Sequence, residues 1–337
     1  MFKKLIVIIT LFCWINSLNA QQRPQYTQYI FNNYILNPAI TGIENYIDVK
    51  AGYRNQWQGL TDAPVTSYIS IHAPIGKQFT QGSATSFPGE GNNPMNRSFV
   101  QTYKASEPHH GIGFHLVSDN IGPFTRTDAN LTYAYHLGLT ESMNLAVGVA
   151  AGLSRIGLDR TKIILEDPSD PAIGNNTESQ IQPDLGAGIW LYGPRYFAGI
   201  SAQQLLGRTL SFSDNTEYNQ GTQEPHFFMT AGYKIYLGDD VAAIPSAMVK
   251  MVSPAPVSID LNTKIAFRDK FWIGGSYRKD DSFAALAGLN VGHFFNMSYS
   301  YDFTTSELRS VSNGTHEIVI GLLLNNRYKV TCPQRNW

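Results

Sequence analysis

Residues 46–75 keep a strict two-residue period on both sides of a turn, and no other feature of the sequence constrains the fold as much. Ile47, Val49, Ala51 and Tyr53 alternate with Asp48, Lys50, Gly52 and Arg54; then Val65, Ile69 and Ile71 alternate with Thr66, Tyr68, Ser70 and His72. Successive side chains of a strand point to opposite faces, so this stretch is a hairpin with one apolar wall and one polar wall. The pattern returns at Ile112, Phe114 and Leu116. It is clearest where Ala129, Leu131, Tyr133, Tyr135 and Leu137 oppose Arg126, Asp128, Asn130, Thr132 and His136. Further strands are predicted at 145–153, 185–192, 196–202, 227–236, 242–252, 257–267, 271–278, 283–291, 294–303 and 316–324, which makes fourteen, an even number.

Composition tells what kind of β protein this is. Charged residues are 15% of the chain, against roughly 25% for a soluble domain, while aromatics reach 12% and glycine numbers 29. No run of about 18 apolar residues in the mature part could cross a membrane as a helix. Two-faced strands reconcile these facts, because in a membrane barrel every second residue meets lipid and the rest meet a polar lumen. A soluble sandwich or propeller would need charged outer faces. Here the apolar faces continue to aromatics such as Trp57, Trp190, Tyr192, Tyr196, Phe271, Trp272, Tyr299 and Tyr301, which read as girdles at the bilayer interfaces.

Residues 1–20 form a secretory signal, with Lys3 and Lys4 before an apolar run too short to span and a cut expected before Gln21. Removing it takes Cys13 and leaves Cys332 alone, so no internal disulfide can form. It also leaves 23 basic against 26 acidic residues, a formal net charge of −3 with no basic footprint for nucleic acid. Residues 21–45 lack the strand period: Tyr26, Tyr29, Ile30 and Tyr34 fall at helical spacing before Asn37-Pro38. They form either a short helix plugging a lumen or a periplasmic lead. Residues 46–326 make the barrel, and 327–337 a tail.

The connectors after strands four, six, eight, ten and twelve are short, and the longest in the second part of the chain lie on the other side, as in outer-membrane barrels. This places both termini in the periplasm and residues 54–64 outside. Residues 76–107, long on the short-turn side, are an insertion.

Catalysis and cofactor binding find no support. No GxSxG, P-loop or HExxH occurs, so the expectation is a non-enzyme without catalytic residues or cofactor. His72, His115 and His136 face the lumen on neighbouring strands, but their places along the strands and the lack of zinc-type spacing argue against a metal site. Asp48, Lys50, Asp128, Asp260, Lys264 and Arg278 mix both signs in the lumen and read as structural ion pairs rather than a selective ring. Arg54, Gln56 and Trp57 have two readings: lumen ion pair and girdle aromatic, or part of a surface that receives a partner.

Motifs along nearly the whole mature chain resemble the PorP/SprF family of type IX secretion system outer-membrane proteins. They are NPAITG (37–42), YRNQW (53–57), the Asp62-Ala63-Pro64 turn, IPSAMVKMV (244–252), GGSYR (274–278), YSYDF (299–303), THEIVI (315–320) and the terminal CPQRNW. The resemblance implies an outer-membrane, lipid-embedded barrel of the secretion and gliding machinery of Bacteroidetes. It would work with other components of that machinery and hold or help deliver an adhesin-like secreted protein through its C-terminal sorting domain. The alternative is a diffusion porin for small solutes.

Overall fold

The computed structural model describes residues 26–76, 100, 103–163, 178–210, 221–268 and 270–326. The signal segment, most of the 76–107 insertion, the middles of the two long loops and the tail with Cys332 lie outside the described residues.

Strands run in the order β1 (Ile47–Asn55), β2 (Val65–Ile75), β3 (His109–Ile121), β4 (Phe124–Thr140), β5 (Met143–Leu158), β6 (Glu178–Tyr192) and β7 (Tyr196–Gln203). After β7 come the short β8 (Arg208–Leu210) and β9 (Gly221–Gln223), which pair only with each other. The series continues with β10 (His226–Tyr233), β11 (Ile235–Tyr236), β12 (Val241–Val252), β13 (Ser258–Phe267), β14 (Phe271–Arg278), β15 (Ser282–Val291), β16 (Phe295–Thr304) and β17 (Thr315–Leu324). Sequence neighbours pair antiparallel, β1 pairs with β17, and β10 pairs with β12, so the sheet closes on itself as a fourteen-strand barrel.

One of those strands is interrupted. Pro245 on β12 has no N–H to offer on the side facing Tyr233, and the neighbouring strand breaks at Lys234, resuming as the two residues of β11. Two rims result. Ile47 and Leu324 lie at one, which we term the terminal rim; the turns after β1, β3, β5, β7, β12, β14 and β16 form the loop rim.

Burial follows the alternation. Asp48, Lys50 and Arg54 are sealed inside, while Leu131 (63% exposed) and Ile273 (56%) face outward with Val149 and Tyr53. Such side chains cost about 1.5–3 kcal/mol each to leave in water, so the continuous outer band is a lipid-facing surface.

Phase along the strand, not residue type, decides where the aromatics go. Phe271 and Tyr299 point outward, but Trp190, Tyr192 and Trp272 are buried in the lumen and are not girdle residues. Trp190 shares its face with Gly188 and Gly186, and a Cβ on Gly199 would fall inside its ring, as one on Gly288 would fall inside the Trp272 indole.

Two ranges differ from the sequence expectation. β5 runs on to Leu158 and β6 begins at Glu178, beyond the 145–153 and 185–192 that the two-residue period predicts. A small hairpin, β8–β9, occupies a stretch that reads as plain loop. If the loop rim faces the medium, a membrane-impermeant thiol reagent should label Asp280→Cys in intact cells and leave His293→Cys unlabelled. The reverse pattern would invert the orientation.

Candidate functional site

The lumen is filled from within. Residues 26–46 lie inside the ring as three single turns of 3-10 helix, Gln28–Ile30, Asn33–Ile35 and Pro38–Ile40, in place of the α-helix that the spacing suggests. Non-helical backbone at Asn32 and extended backbone at Asn37 interrupt the winding. A three-residue period also serves 3-10 turns, and so short a helix has little stability of its own. Tyr29, Ile30, Phe31, Tyr34, Ile35 and Leu36 are all buried.

Polar contacts tie this plug to the wall along its length. Asn32 Nδ2 donates to Ser70 Oγ at 3.1 Å, the Tyr34 hydroxyl bonds Thr132 at 2.8 Å, and Asn37 Nδ2 donates to the Ile189 carbonyl at 3.1 Å. Gln203 Nε2 donates to the Ile35 carbonyl at 2.9 Å. Near the terminal rim His136 Nε2 lies 2.8 Å from the Thr41 carbonyl, and His109 Nε2 lies 3.1 Å from that of Gly42. Gly148 and Gly188 make the room: a Cβ on either would strike Pro38–Ala39 or Asn37.

At the loop rim the plug is clamped by charge. Arg54 Nη1 donates to Glu317 Oε2 at 2.9 Å and to Thr27 Oγ1 at 2.9 Å, and Arg54 Nη2 reaches Asp302 Oδ2 at 3.0 Å. Thr27 donates its N–H to Glu317 at 2.8 Å and its hydroxyl to Asp302 at 2.6 Å. Asp302 and Glu317 fall within YSYDF and THEIVI but are not among the sequence candidates, although their lumen phase on β16 and β17 marks them.

The clamp fixes the path of the chain. Tyr26, the first described residue, sits by Arg278 and Tyr68 in the loop-rim half of the barrel, and 27–46 descend to the terminal rim, where β1 begins. The described part of the plug therefore starts in the loop-rim half of the barrel and ends at the terminal rim.

Above the plug is an open vestibule of about 550 Å³, lined by Gln56, Trp57, Asp119, Lys250, Arg278 and Asp281 among others. In its floor Arg278 bridges Asp260 at 3.1 Å and Asp281 at 3.2 Å and touches the Tyr26 carbonyl at 3.5 Å. Below it the voids shrink to about 30, 20 and 10 Å³.

The sequence candidates separate accordingly. Gln56 and Trp57 line the vestibule, Trp57 half-buried with its backbone N–H donating to Thr315 Oγ1 at 3.0 Å. Trp57 is thus on the inner side of the rim and not in a lipid girdle. Arg54 is 1% exposed beneath them, a clamp and not a surface contact. Asp48 pairs with Lys50 at 2.5 Å, Asp128 with Arg126 at 3.0 Å and Asp260 with Arg278. Lys264 lies over the Trp272 ring at 5.2 Å.

The histidines are closer than their places along the strands suggest. Tyr34 contacts both His72 and His115, at ring separations of 4.5 and 5.7 Å. Glu44, Asp48 and His72 bring ligand atoms within 4.8 Å of one another. The Gly42 N–H donates to His72 Nδ1 at 3.1 Å and the Lys50 ammonium sits on Asp48. A lysine thus already supplies the positive charge there.

Removing Arg54 leaves two buried carboxylates unpaired, which costs about 3–5 kcal/mol. Arg54→Ala should lower the heating temperature at which the folded gel band disappears, and Asp302→Asn should do so less. Equal stability in all three proteins would dismiss the clamp.

Three comparisons bear on this arrangement. Residues 18–322 match the family described as type IX secretion system membrane protein PorP/SprF. No curated protein matches the sequence. Among solved structures, the chain is similar to a FadL homologue of Pseudomonas aeruginosa at 10% identity, with 90% of this chain and 94% of that one covered and a TM-score of 0.48. It is also similar to the toluene transporter TbuX of Ralstonia pickettii, at 10% identity, 87% and 92% coverage and a TM-score of 0.48. Omp33 of Acinetobacter baumannii gives 7% identity, 84% and 100% coverage and a TM-score of 0.46.

Proposed function

We propose, from the premise that this chain belongs to the PorP/SprF family of type IX secretion system membrane proteins, that it holds or helps deliver a secreted partner at the cell surface. The partner class is an adhesin-like protein with a C-terminal sorting domain, received at the loop rim with other components of the secretion and gliding machinery. A membrane β-barrel in this family is an outer-membrane protein, its apolar band in lipid.

The observation that carries the reading is the filled lumen beneath an open vestibule. A porin needs a continuous aqueous path, and here residues 26–46 lie in it, with small voids of about 30, 20 and 10 Å³ around them. An exposed rim on a rigid scaffold suits the binding of another protein. Trp57 at the mouth is the type of residue on which interface energy concentrates. Arg54, Asp302, Glu317, Asp260 and Arg278 are engaged in buried ion pairs that fix the filling, which supports a holding role over an enzymatic one.

Affinity capture of the native protein from detergent-solubilised membranes should recover a secreted protein bearing a C-terminal sorting domain, and Trp57→Ala should weaken that recovery several-fold. Capture of the barrel alone, with the partner secreted normally from a strain lacking this protein, would sink the proposal. In planar bilayers the intact protein should conduct poorly, and deleting residues 26–44 should raise conductance. A large, steady conductance in the intact protein would favour the porin reading.

A further inference from the structure

The rim of the barrel is uneven. β5 pairs with β6 over its whole length, from Leu158↔Glu178 to Asn144↔Tyr192. β7 pairs with β6 only between Ala187 and Tyr192. The last link on that side is the Leu205 N–H on the Leu185 carbonyl at 3.0 Å, where the chain has already turned inward and Gln204 is buried. Among the described residues, no strand therefore lies beside Ser179, Ile181 and Pro183 on the side away from β5.

Strand geometry says which backbone groups are left over. N–H and C=O of one residue point to the same side of a strand and alternate from residue to residue. The bonds of Gly193 N–H to Tyr196 and of Leu205 N–H to Leu185 put the odd-numbered positions of β6 on the β7 side. The groups of Ser179 and Ile181, and the carbonyl of Pro183, thus face away from β5. Pro183 has no N–H to donate, so pairing along this edge stops there and does not run down into the seam with β7.

The edge also stands above the lipid band. Ile181 is in register with Arg155, and Arg155 with Thr127, so polar outward side chains surround it. Water can satisfy its backbone until a partner arrives. Beside the free groups Ile181 is 66% exposed and Leu153 55%, an apolar margin against which a cross-strand side chain would pack.

We infer that the Ser179–Ile181–Pro183 edge of β6 is a β-strand addition site, taking an extended segment of the secreted partner as an added strand at the loop rim. It rests on the holding function proposed above and says by what contact the partner is held. The occupant follows from the chemistry of the edge: only an extended backbone repeats donors and acceptors at the strand spacing. The edge offers about 15 Å at ~3.3 Å per residue, room for a strand of about five residues.

The test uses the full-length protein in its own membrane. Ile181→Pro removes an N–H that faces the free side and leaves the β5–β6 ladder its donors, so the barrel should still migrate as a folded band on unheated gels. Partner recovery should fall about tenfold, while Ile181→Val keeps it. Partner recovery at the wild-type level with Ile181→Pro, in a strain where the wild type does retain partner, overturns the edge and leaves the holding function standing. A wild type that retains no partner overturns both.

A photo-crosslinking side chain at Ser179 answers independently of how well the proline variant folds. An adduct with the secreted protein supports the site. An adduct of two barrels, or one confined to the chain itself, overturns it.

Discussion

The pairing of β10 with β12 is the contact on which the structure depends, because it turns an open sheet into a ring. In hydrocarbon each unpaired N–H or C=O costs several kcal/mol, so a membrane sheet with two long edges has no stable form. Closure removes both edges at lipid depth. Opposite Pro245 the neighbouring strand is interrupted at Lys234, while its N–H to the Arg195 carbonyl continues the pairing with β7. Once the ring is closed, the two-residue period becomes an inside and an outside, and every later feature comes from having to satisfy the inside.

Fourteen strands enclose more space than their own inward side chains fill. The chain solves this with residues 26–46 and with large inward aromatics, Trp190, Tyr192 and Trp272. The filling is polar at its seams and apolar in its middle. Its ends are held differently: Thr27 in a buried charge cluster with Arg54, Asp302 and Glu317, and Thr41–Gly42 by the rings of His136, His109 and His72. Buried charges are tolerable only when paired. Mixed signs along the wall therefore go with a fixed filling, where a conducting pore would keep its charges hydrated.

Much of this was legible in the sequence, for a physical reason: one face of each strand meets lipid, so the period is forced wherever the strand crosses the bilayer. The strand count, the short turns and the inward phase of Asp48, Lys50, Arg54, Asp260 and Arg278 all come from that period. The features that escaped it lie where the bilayer imposes nothing. The winding of 26–46 depends on contacts with many strands of the wall that no local spacing records. The upper parts of β5 and β6 extend into water, where alternation weakens at Gly157, Ser179 and Gln180. Trp190 and Trp272 were misplaced when read by type, since phase governs their side and the glycines opposite them, Gly199 and Gly288, reveal it.

The unequal height of the rim matters because a filled barrel can act on another protein only from its ends. At the terminal rim the described turns are short and closely tied, as at Gly193 to Tyr196 and Leu323 to Phe294. At the loop rim β3 to β6 carry the wall upward while β7 and β10 stop, so among the described residues a step is left, with the vestibule on its inner side and an edge of β6 that no described strand pairs on its flank. Below the step the sheet is paired all round, and pairing there is obligatory because lipid offers no hydrogen bonds. Above it pairing is optional because water does. A strand edge that is stable when solvated and equally stable when paired is the kind of surface on which an exported polypeptide can be held without rebuilding the barrel beneath it.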